Sequence, residues 1–410
     1  MDPSWPYNAE HWQQLLTNMG VSWMVLLSEG DAALLSGAAE ALLEAGVIPI
    51  VRFNYQFPRH WTHGDVTGQY VSLYSQYGAP FIAAIGNEPF DPREWVDGDV
   101  PPKEEAWAII ADRWNEAACI TAERGGIAGF PDGPSYNLDD NPFYRIGDPD
   151  LHWQEGRAVY LGHHYGKGRP WDYPRDDVSR FGVSLTEDEY CQLLDIFCGD
   201  PSWQDLPLDL INAQRLAWAN PDLTAVQDDV CWHGWKRVQH FSQEAFGFQV
   251  QMAMTEGGWV PRDRAGSGDK NEEELKRLIH DYWTKGFTRE AAHRAAILSI
   301  DIRWPLTTPT QVAVKSLQMY GDDHPFFAVC PWLLACSDMG GSGWEYDAWH
   351  GWAFEPEHGR QKPVIQALID NPPNGNDLLA ELYAAMEACL ETDARLAAAI
   401  ALAQGVQRCP

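Results

Sequence analysis

The chain alternates between short apolar runs and longer segments whose apolar residues recur at helical spacing. The runs are Val21-Ser-Trp-Met-Val-Leu-Leu27, Val47-Ile-Pro-Ile-Val-Arg-Phe53, Phe81-Ile-Ala-Ala-Ile85, Ile127-Ala-Gly-Phe130, Ala158-Val-Tyr-Leu-Gly-His-His-Tyr165, Val250-Gln-Met-Ala-Met-Thr-Glu256 and Phe326-Phe-Ala-Val-Cys-Pro-Trp-Leu-Leu334. Runs of this length without regular polar alternation read as strands buried on both faces, the kind found in parallel sheets. Pro49 sits near the start of its run, where a missing N–H is tolerated best. Between the runs, Asn8 to Gly20 places Trp12, Leu15, Leu16 and Met19 on one helical face, with Gly20 as the stop. Asp31 is placed to cap a helix through Ala45 that Gly46 closes. Gln69 to Tyr77 predicts a short helix, and Ala106 to Arg124 a longer one with Trp107, Ile110, Trp114 and Ala118 on one stripe.

Strand–helix alternation is the signature of βαβ units around a parallel sheet, and at this length it predicts an α/β fold, the (β/α)8 TIM barrel. The runs number seven, whereas a closed barrel needs eight strands. Either Met1–Tyr7 supplies the first, or the chain begins inside a larger domain. The second expectation is preferred, because Asp2-Pro-Ser-Trp-Pro6 has little strand character. The barrel is expected over residues 1–370, with a long insertion at about 166–248 that contains at least two helical patches. After Glu256, further helices are predicted near Asn271 and over Arg289 to Ile302. Asn371-Pro-Pro-Asn-Gly-Asn376 marks a linker over 371–377. Leu378, Leu382, Met386 and Leu390 then make residues 378–410 an amphipathic helical tail.

Composition changes this picture little. Apolar content of 45% and charged content of 21% are those of a globular protein. A net charge of −30 repels phosphate backbones and anionic headgroups, which excludes nucleic acid and membrane surfaces as expected partners. No segment is apolar for long enough to span a bilayer, and no signal peptide is visible. Nothing in the pattern specifies a compartment or an oligomeric state. The eight cysteines include no Cys-x-x-Cys pair, which argues against a structural zinc site; Cys191 and Cys198 could pair or remain buried thiols. The 20 tryptophans matter more, because the C–H face of a sugar stacks on aromatic rings.

The chemistry-bearing residues gather at run ends. Phe81–Ile85 passes through Gly86 into Asn87-Glu88-Pro89, and the run from Val250 ends in Glu256 followed by Gly257-Gly258. Carboxylates at the C-terminal ends of two buried strands are the pair that glycoside hydrolysis requires, at the face where barrels carry their active sites. Plainer readings remain beside this one: Glu88 could cap the next helix, Glu256 could begin a surface turn, and Arg52 could be an interior ion-pair partner. His163 and His164 could be a hydrogen-bonded loop pair, and strand alternation points only one of them inward. No other His lies at ligand spacing to them, so no metal or cofactor is expected. Trp332 and Trp344 serve equally as packing or as sugar platforms.

With Asn87-Glu88-Pro89 ending one strand and Glu256 another, the chain resembles the clan A glycoside hydrolases, retaining (β/α)8 enzymes that include cellulases, mannanases and β-glycosidases. In that clan an acid/base Glu follows an Asn at the end of strand four, and the nucleophile Glu ends strand seven. One missing strand at the front puts Glu88 and Glu256 on those strands. The clan's His-x-Tyr element on strand six is matched by His163-His164-Tyr165, its strand-eight Trp by Trp332, and its Arg near the nucleophile by Arg52. The resemblance covers roughly residues 8–370. It implies cleavage of a β-linked oligo- or polysaccharide by double displacement, with Glu256 as nucleophile, Tyr165 and Arg52 as its hydrogen-bond donors, Glu88 as acid/base and Asn87 on the sugar 2-hydroxyl. The alternative is a barrel that binds carbohydrate without cleaving it. The discriminating feature is whether both carboxylates face one cavity at hydrolytic distance.

Overall fold

The computed structural model describes residues 9–27, 35–132, 141–146, 153, 156–165, 172–188, 208–228, 231, 233–258, 326–330, 350–351 and 360–361. Each apolar run forms a strand: β1 (Trp23–Leu27), β2 (Ile48–Phe53), β3 (Ile82–Ile85), β4 (Ile127–Pro131), β5 (Ala158–Tyr165), β6 (Met252–Gly258) and β7 (Phe326–Val329). They make one seven-stranded sheet in chain order, and every neighbouring pair is parallel. All four residues of β3 are buried, and in β2 the one residue that is not fully buried is Arg52. Such strands need cover on both faces. The described helices are α1 (Ala9–Asn18), α2 (Ser36–Glu44), α3 (Gly64–Gln76), α4 (Lys103–Glu123), α5 (Pro142–Ile146), α6 (Asp177–Phe181), α7 (Leu208–Trp218) and α8 (Trp235–Phe246), and those that alternate with the strands cover the outer face. Two-residue strands β8 (His350–Gly351) and β9 (Arg360–Gln361) pair antiparallel apart from this sheet.

The sheet is rolled. Trp23 on β1 meets Phe327 on β7 edge-on, with ring centroids 5.2 Å apart, so the first and last strands of this sheet are neighbours in space. The architecture is a nearly closed (β/α)8-like barrel, as the alternation predicts. Its interior is packed: a Cβ placed on Gly129 of β4 would lie 2.3 Å from Cδ1 of Leu161 on β5. Only glycine lets the Leu161 side chain fill that space.

Aromatic side chains fasten the helices to the sheet. Tyr70 of α3 stacks on Phe81 with centroids 5.2 Å apart, and the Tyr74 hydroxyl donates to the Pro49 carbonyl at 2.7 Å. Trp114 of α4 packs on Phe130 of β4 and stacks on Trp153. Phe143 of α5 meets both Trp153 and Phe246 of α8. These contacts also explain where helix boundaries depart from expectation. Helix α3 starts at Gly64 rather than Gln69, although Gly64, Asp65, Thr67 and Gly68 are poor helix formers. Burial of Thr67, whose hydroxyl donates to the His63 carbonyl at 2.8 Å, overrides propensity there. Helix α4 starts at Lys103, directly after Pro102 in extended conformation, with Glu104 and Glu105 set against the positive end of its dipole.

The insertion contains α6 and α7 and ends in α8, the crossover helix before β6. Among the cysteines, Cys231 and Cys330 are buried and Cys119 is exposed. No helix among the described residues is long and apolar enough to cross a membrane. The Asp31 cap, residues 1–7, Cys191 and Cys198, the helices predicted after Glu256, the linker and the C-terminal tail all lie outside the described residues.

Candidate active site

Strand ends on one side of the barrel supply the polar groups. Gly86, directly after β3, has φ +79, a conformation that L side chains rarely adopt. A Cβ there would meet nothing nearer than 3.8 Å, so glycine is required by the backbone turn and not by lack of room. This turn presents Asn87 and Glu88 at the barrel mouth. Behind them the chain is anchored: the Asp91 N–H donates to the Glu88 carbonyl at 2.8 Å, and the Trp95 indole N–H donates to the Pro89 carbonyl at 2.8 Å.

Strands β5 and β6 bring in the other half. Gly162 pairs with Met254, but His163 pairs with Glu256, so Thr255 is skipped. In an unbroken register Glu256 would face the same side as His164; the irregularity puts His163 there instead. Such irregularities re-aim side chains beside active sites. Asp132, one residue past β4, holds the arrangement: it accepts from the Tyr160 hydroxyl at 2.5 Å and from the His163 backbone N–H at 2.7 Å.

Five side chains, from β2, the turn after β3, β5 and β6, then meet. Arg52 donates through one Nη1 both to Glu256 Oε1 and to Asn87 Oδ1, the latter at 2.5 Å. The His163 Nδ1 lies 3.2 Å from Glu88 Oε1 and 3.6 Å from Glu256 Oε2. Glu88, His163 and Glu256 each offer an atom within 4.8 Å of the others. Glu256 is the more enclosed carboxylate, with 9% of its side chain exposed against 23% for Glu88.

The electrostatics follow from this packing. Burial of the His163 imidazole disfavours its charged form. The Glu256 charge, the hydrogen bond to Glu88 and the Asp132 and Glu88 charges outweigh that effect, and its pKa stands above 6.5. Arg52 compensates the Glu256 charge from the other side. Arg93 approaches Glu88 at 3.8 Å, but its guanidinium is 69% exposed and already paired with Asp91 at 2.6 Å, so its influence is heavily screened. A third carboxylate, Glu94, stands nearby, and burial raises its pKa above 4.5 against the lowering influence of Asn87 and Arg52.

By composition, Glu88, His163 and Glu256 could hold a divalent cation, a grouping that the spacing of the histidines in the sequence did not anticipate. The charge environment opposes it. Arg52 already occupies Glu256 Oε1, so a cation would sit beside the guanidinium charge, and it would have to compete with a proton for His163.

Of the residues singled out in the sequence, Glu88, Glu256, Asn87, Arg52 and His163 are brought together. His164 and Tyr165 continue β5 opposite Gly257 and Gly258, and their side chains lie outside the described part. Trp332 and Trp344 lie outside the described residues altogether. Sequence reasoning missed Asp132 and Glu94. Asp132 had a usable signal, since it ends a buried strand as Glu256 does; Glu94 had none beyond its place in the charged stretch Asp91-Pro92-Arg93-Glu94.

No family model and no curated protein matches the sequence. Among solved structures, the chain is similar to the GH39 enzyme from Xanthomonas axonopodis pv. citri, at 11% identity and a TM-score of 0.37. The match covers 80% of this chain and 56% of that one. A likeness at that level carries no weight for function.

Proposed function

We propose that the protein is a retaining glycoside hydrolase acting on a β-linked oligo- or polysaccharide, with Glu256 as nucleophile and Glu88 as acid/base. One observation carries the reading: carboxylates from two non-adjacent strands approach within 4.8 Å at one mouth of the barrel. Retaining enzymes place the two groups about 5–5.5 Å apart, whereas inverting ones need about 6.5–9.5 Å to admit a water. This approach favours direct attack, and it also supports hydrolysis over a site that only binds sugar.

The residues then divide the work. Glu256, enclosed and paired with Arg52, attacks the anomeric carbon while the more open Glu88 protonates the leaving oxygen. The glycosidic C–O bond breaks as the Glu256 ester forms, and the leaving group departs as an alcohol. In the second step Glu88 takes a proton from water, whose oxygen displaces Glu256 from the anomeric carbon. His163, hydrogen-bonded to Glu88 and facing Glu256, offsets the negative charge that moves between them. The Asn87 amide, its oxygen held by Arg52, has its N–H₂ available for the sugar 2-hydroxyl, a contact that strengthens as the oxocarbenium ion develops.

The test is hydrolysis of a panel of aryl β-glycosides by the wild-type chain and two variants. Glu256→Ala and Glu88→Ala are each expected to lower kcat by about a thousandfold or more. Azide should rescue Glu256→Ala and yield the inverted glycosyl azide, because it enters on the face that the carboxylate has left. With Glu88→Ala and an activated leaving group, azide should yield the retained product. Unchanged turnover in either variant overturns the assignment.

A further inference from the structure

The geometry points to Asp132 as a positioning residue that holds the β5 backbone in the register that sets His163 between Glu88 and Glu256. The inference rests on the glycosidase reading above and adds to it a carboxylate that acts on the reaction only through that imidazole.

Strand β4 ends at Pro131, but β5 runs on to Tyr165. The Asp132 N–H still donates to the Leu161 carbonyl at 2.9 Å, as in a regular parallel ladder. The next rung of such a ladder would carry the His163 N–H to the Asp132 main-chain carbonyl. The Asp132 side chain takes that N–H instead, at 2.7 Å. Its other oxygen accepts from the Tyr160 hydroxyl at 2.5 Å. Tyr160 is fully buried and packs on the rings of Phe130 in β4 and Phe143 in α5. The carboxylate is therefore a strut between the aromatic core and the β5 backbone at His163.

This strut stands where the register changes. Strands β5 and β6 run in step as far as Gly162 with Met254, and His163 is the first residue after the shift, paired with Glu256. An unshifted register would give that partner to His164. Asp132 fixes the His163 N–H on the β4 side while the pairing shifts on the β6 side, so it holds the residue on which the choice turns. The imidazole then lies 3.2 Å from Glu88 Oε1 and 3.6 Å from Glu256 Oε2.

A charged acceptor is a costly way to fill this position. Asp132 is 9% exposed, and a neutral acceptor would bond the same N–H without the penalty of burying a charge. The charge acts on the site. Burial disfavours the imidazolium of His163, and Glu256 of β6, Glu88 of the turn after β3 and Asp132 together outweigh it, with Arg52 of β2 on the other Glu256 oxygen.

The experiment measures kcat/KM on an aryl β-glycoside for Asp132→Ala and Asp132→Asn, each alone and combined with His163→Gln. Alone, Asp132→Ala should lower kcat/KM about tenfold or more, as the imidazole leaves its place between the carboxylates. Added to His163→Gln, the same change should cost no more than about twofold, because the side chain it positions is gone. Asparagine keeps an acceptor for the His163 N–H, and its N–H₂ can donate to the Tyr160 hydroxyl oxygen, so Asp132→Asn should recover most of the loss. In that variant the His163 imidazole, followed by NMR, should titrate at lower pH than in wild type, since one of the carboxylate charges around it is removed. Equal losses with and without His163→Gln would mean general damage to the fold and would overturn the inference. Unchanged kcat/KM in Asp132→Ala would overturn it too, as would an asparagine variant no more active than the alanine one. If Asp132→Ala does not fold, Asp132→Asn decides, and a His163 titration identical to wild type overturns the inference. A wild-type chain that turns over no glycoside defeats the glycosidase reading, while the titration still decides whether Asp132 acts on His163. Normal wild-type turnover with equal losses in both backgrounds defeats this inference alone.

Discussion

Replacing Arg52 by methionine tests the centre of the site without assuming any reaction. The variant keeps most of the aliphatic stem and deletes the guanidinium that joins Glu256 to Asn87. Two unit charges about 4 Å apart at an effective dielectric of about 20 attract by about 4 kcal/mol. Side-chain exposures of 20% for Arg52 and 9% for Glu256 make this a pair mostly withdrawn from water. Removing one partner of a fully buried pair costs about 3–5 kcal/mol. His163, 3.6 Å from the other Glu256 oxygen, and the residual exposure of Arg52 reduce that figure. The expected loss for Arg52→Met is therefore about 2–4 kcal/mol, including about 1 kcal/mol for the Asn87 oxygen left without this donor. Glu256→Gln alone should cost less, since Arg52 reaches water more readily. Made together, the two changes leave no uncompensated charge and should cost at least about 1.5 kcal/mol less than their sum. Urea unfolding at pH 7, followed by tryptophan fluorescence, measures all three. Additivity within about 0.5 kcal/mol would show that Arg52 and Glu256 do not interact and would refute the geometry.

Three further changes probe the parts that hold this centre. The His163 pKa is raised in the fold, so its contribution is fully present below about pH 6.5 and is lost as pH rises through the higher folded value. The wild-type melting temperature should accordingly fall more between pH 6 and pH 9 than that of His163→Gln; parallel curves would exclude a charged His163 between Glu88 and Glu256. Gly86→Ala should destabilise by about 1–2 kcal/mol from backbone conformation alone, because the added methyl has room; no loss in a denaturant titration would show that the left-handed turn is not needed. Tyr160→Phe withdraws the hydroxyl donor from the buried Asp132 and should cost about 1.5–3 kcal/mol, with a matching fall in turnover as the β5 irregularity loosens. A loss below about 0.5 kcal/mol would remove Asp132 from its supporting role.

The barrel was legible because most of its strands are buried on both faces. A stretch such as Ile82–Ile85 has no solvent side to confuse the pattern, and even β1, buried only in part, keeps an apolar run, so the seven runs mark the sheet. The helices were legible in kind but not at their starts. The first turn of α3 is built from residues with little helix propensity, and contacts distant in sequence, such as Gly64 against Ile120, help to hold it. A pattern read along the chain does not contain those contacts.

The site divides along the same line. Glu88 and Glu256 were legible because each interrupts an apolar run where a strand ends, and Arg52 because it is the lone charge inside one. The choice between His163 and His164 was not, since alternation gives two equivalent answers and the skipped residue in β6 selects one. That irregularity depends in turn on Asp132, which reaches across to the backbone of the next strand. Glu94 is further removed, because it comes near Arg52 only through a short helix and a clip to Phe57. Residues that terminate an element announce themselves by breaking its pattern. Residues that orient them reach the site through tertiary contacts, and carry no local pattern to break. Asn87 is where the two kinds meet: its position follows from the strand end, but its amide oxygen is held by Arg52, a side chain from a separate segment.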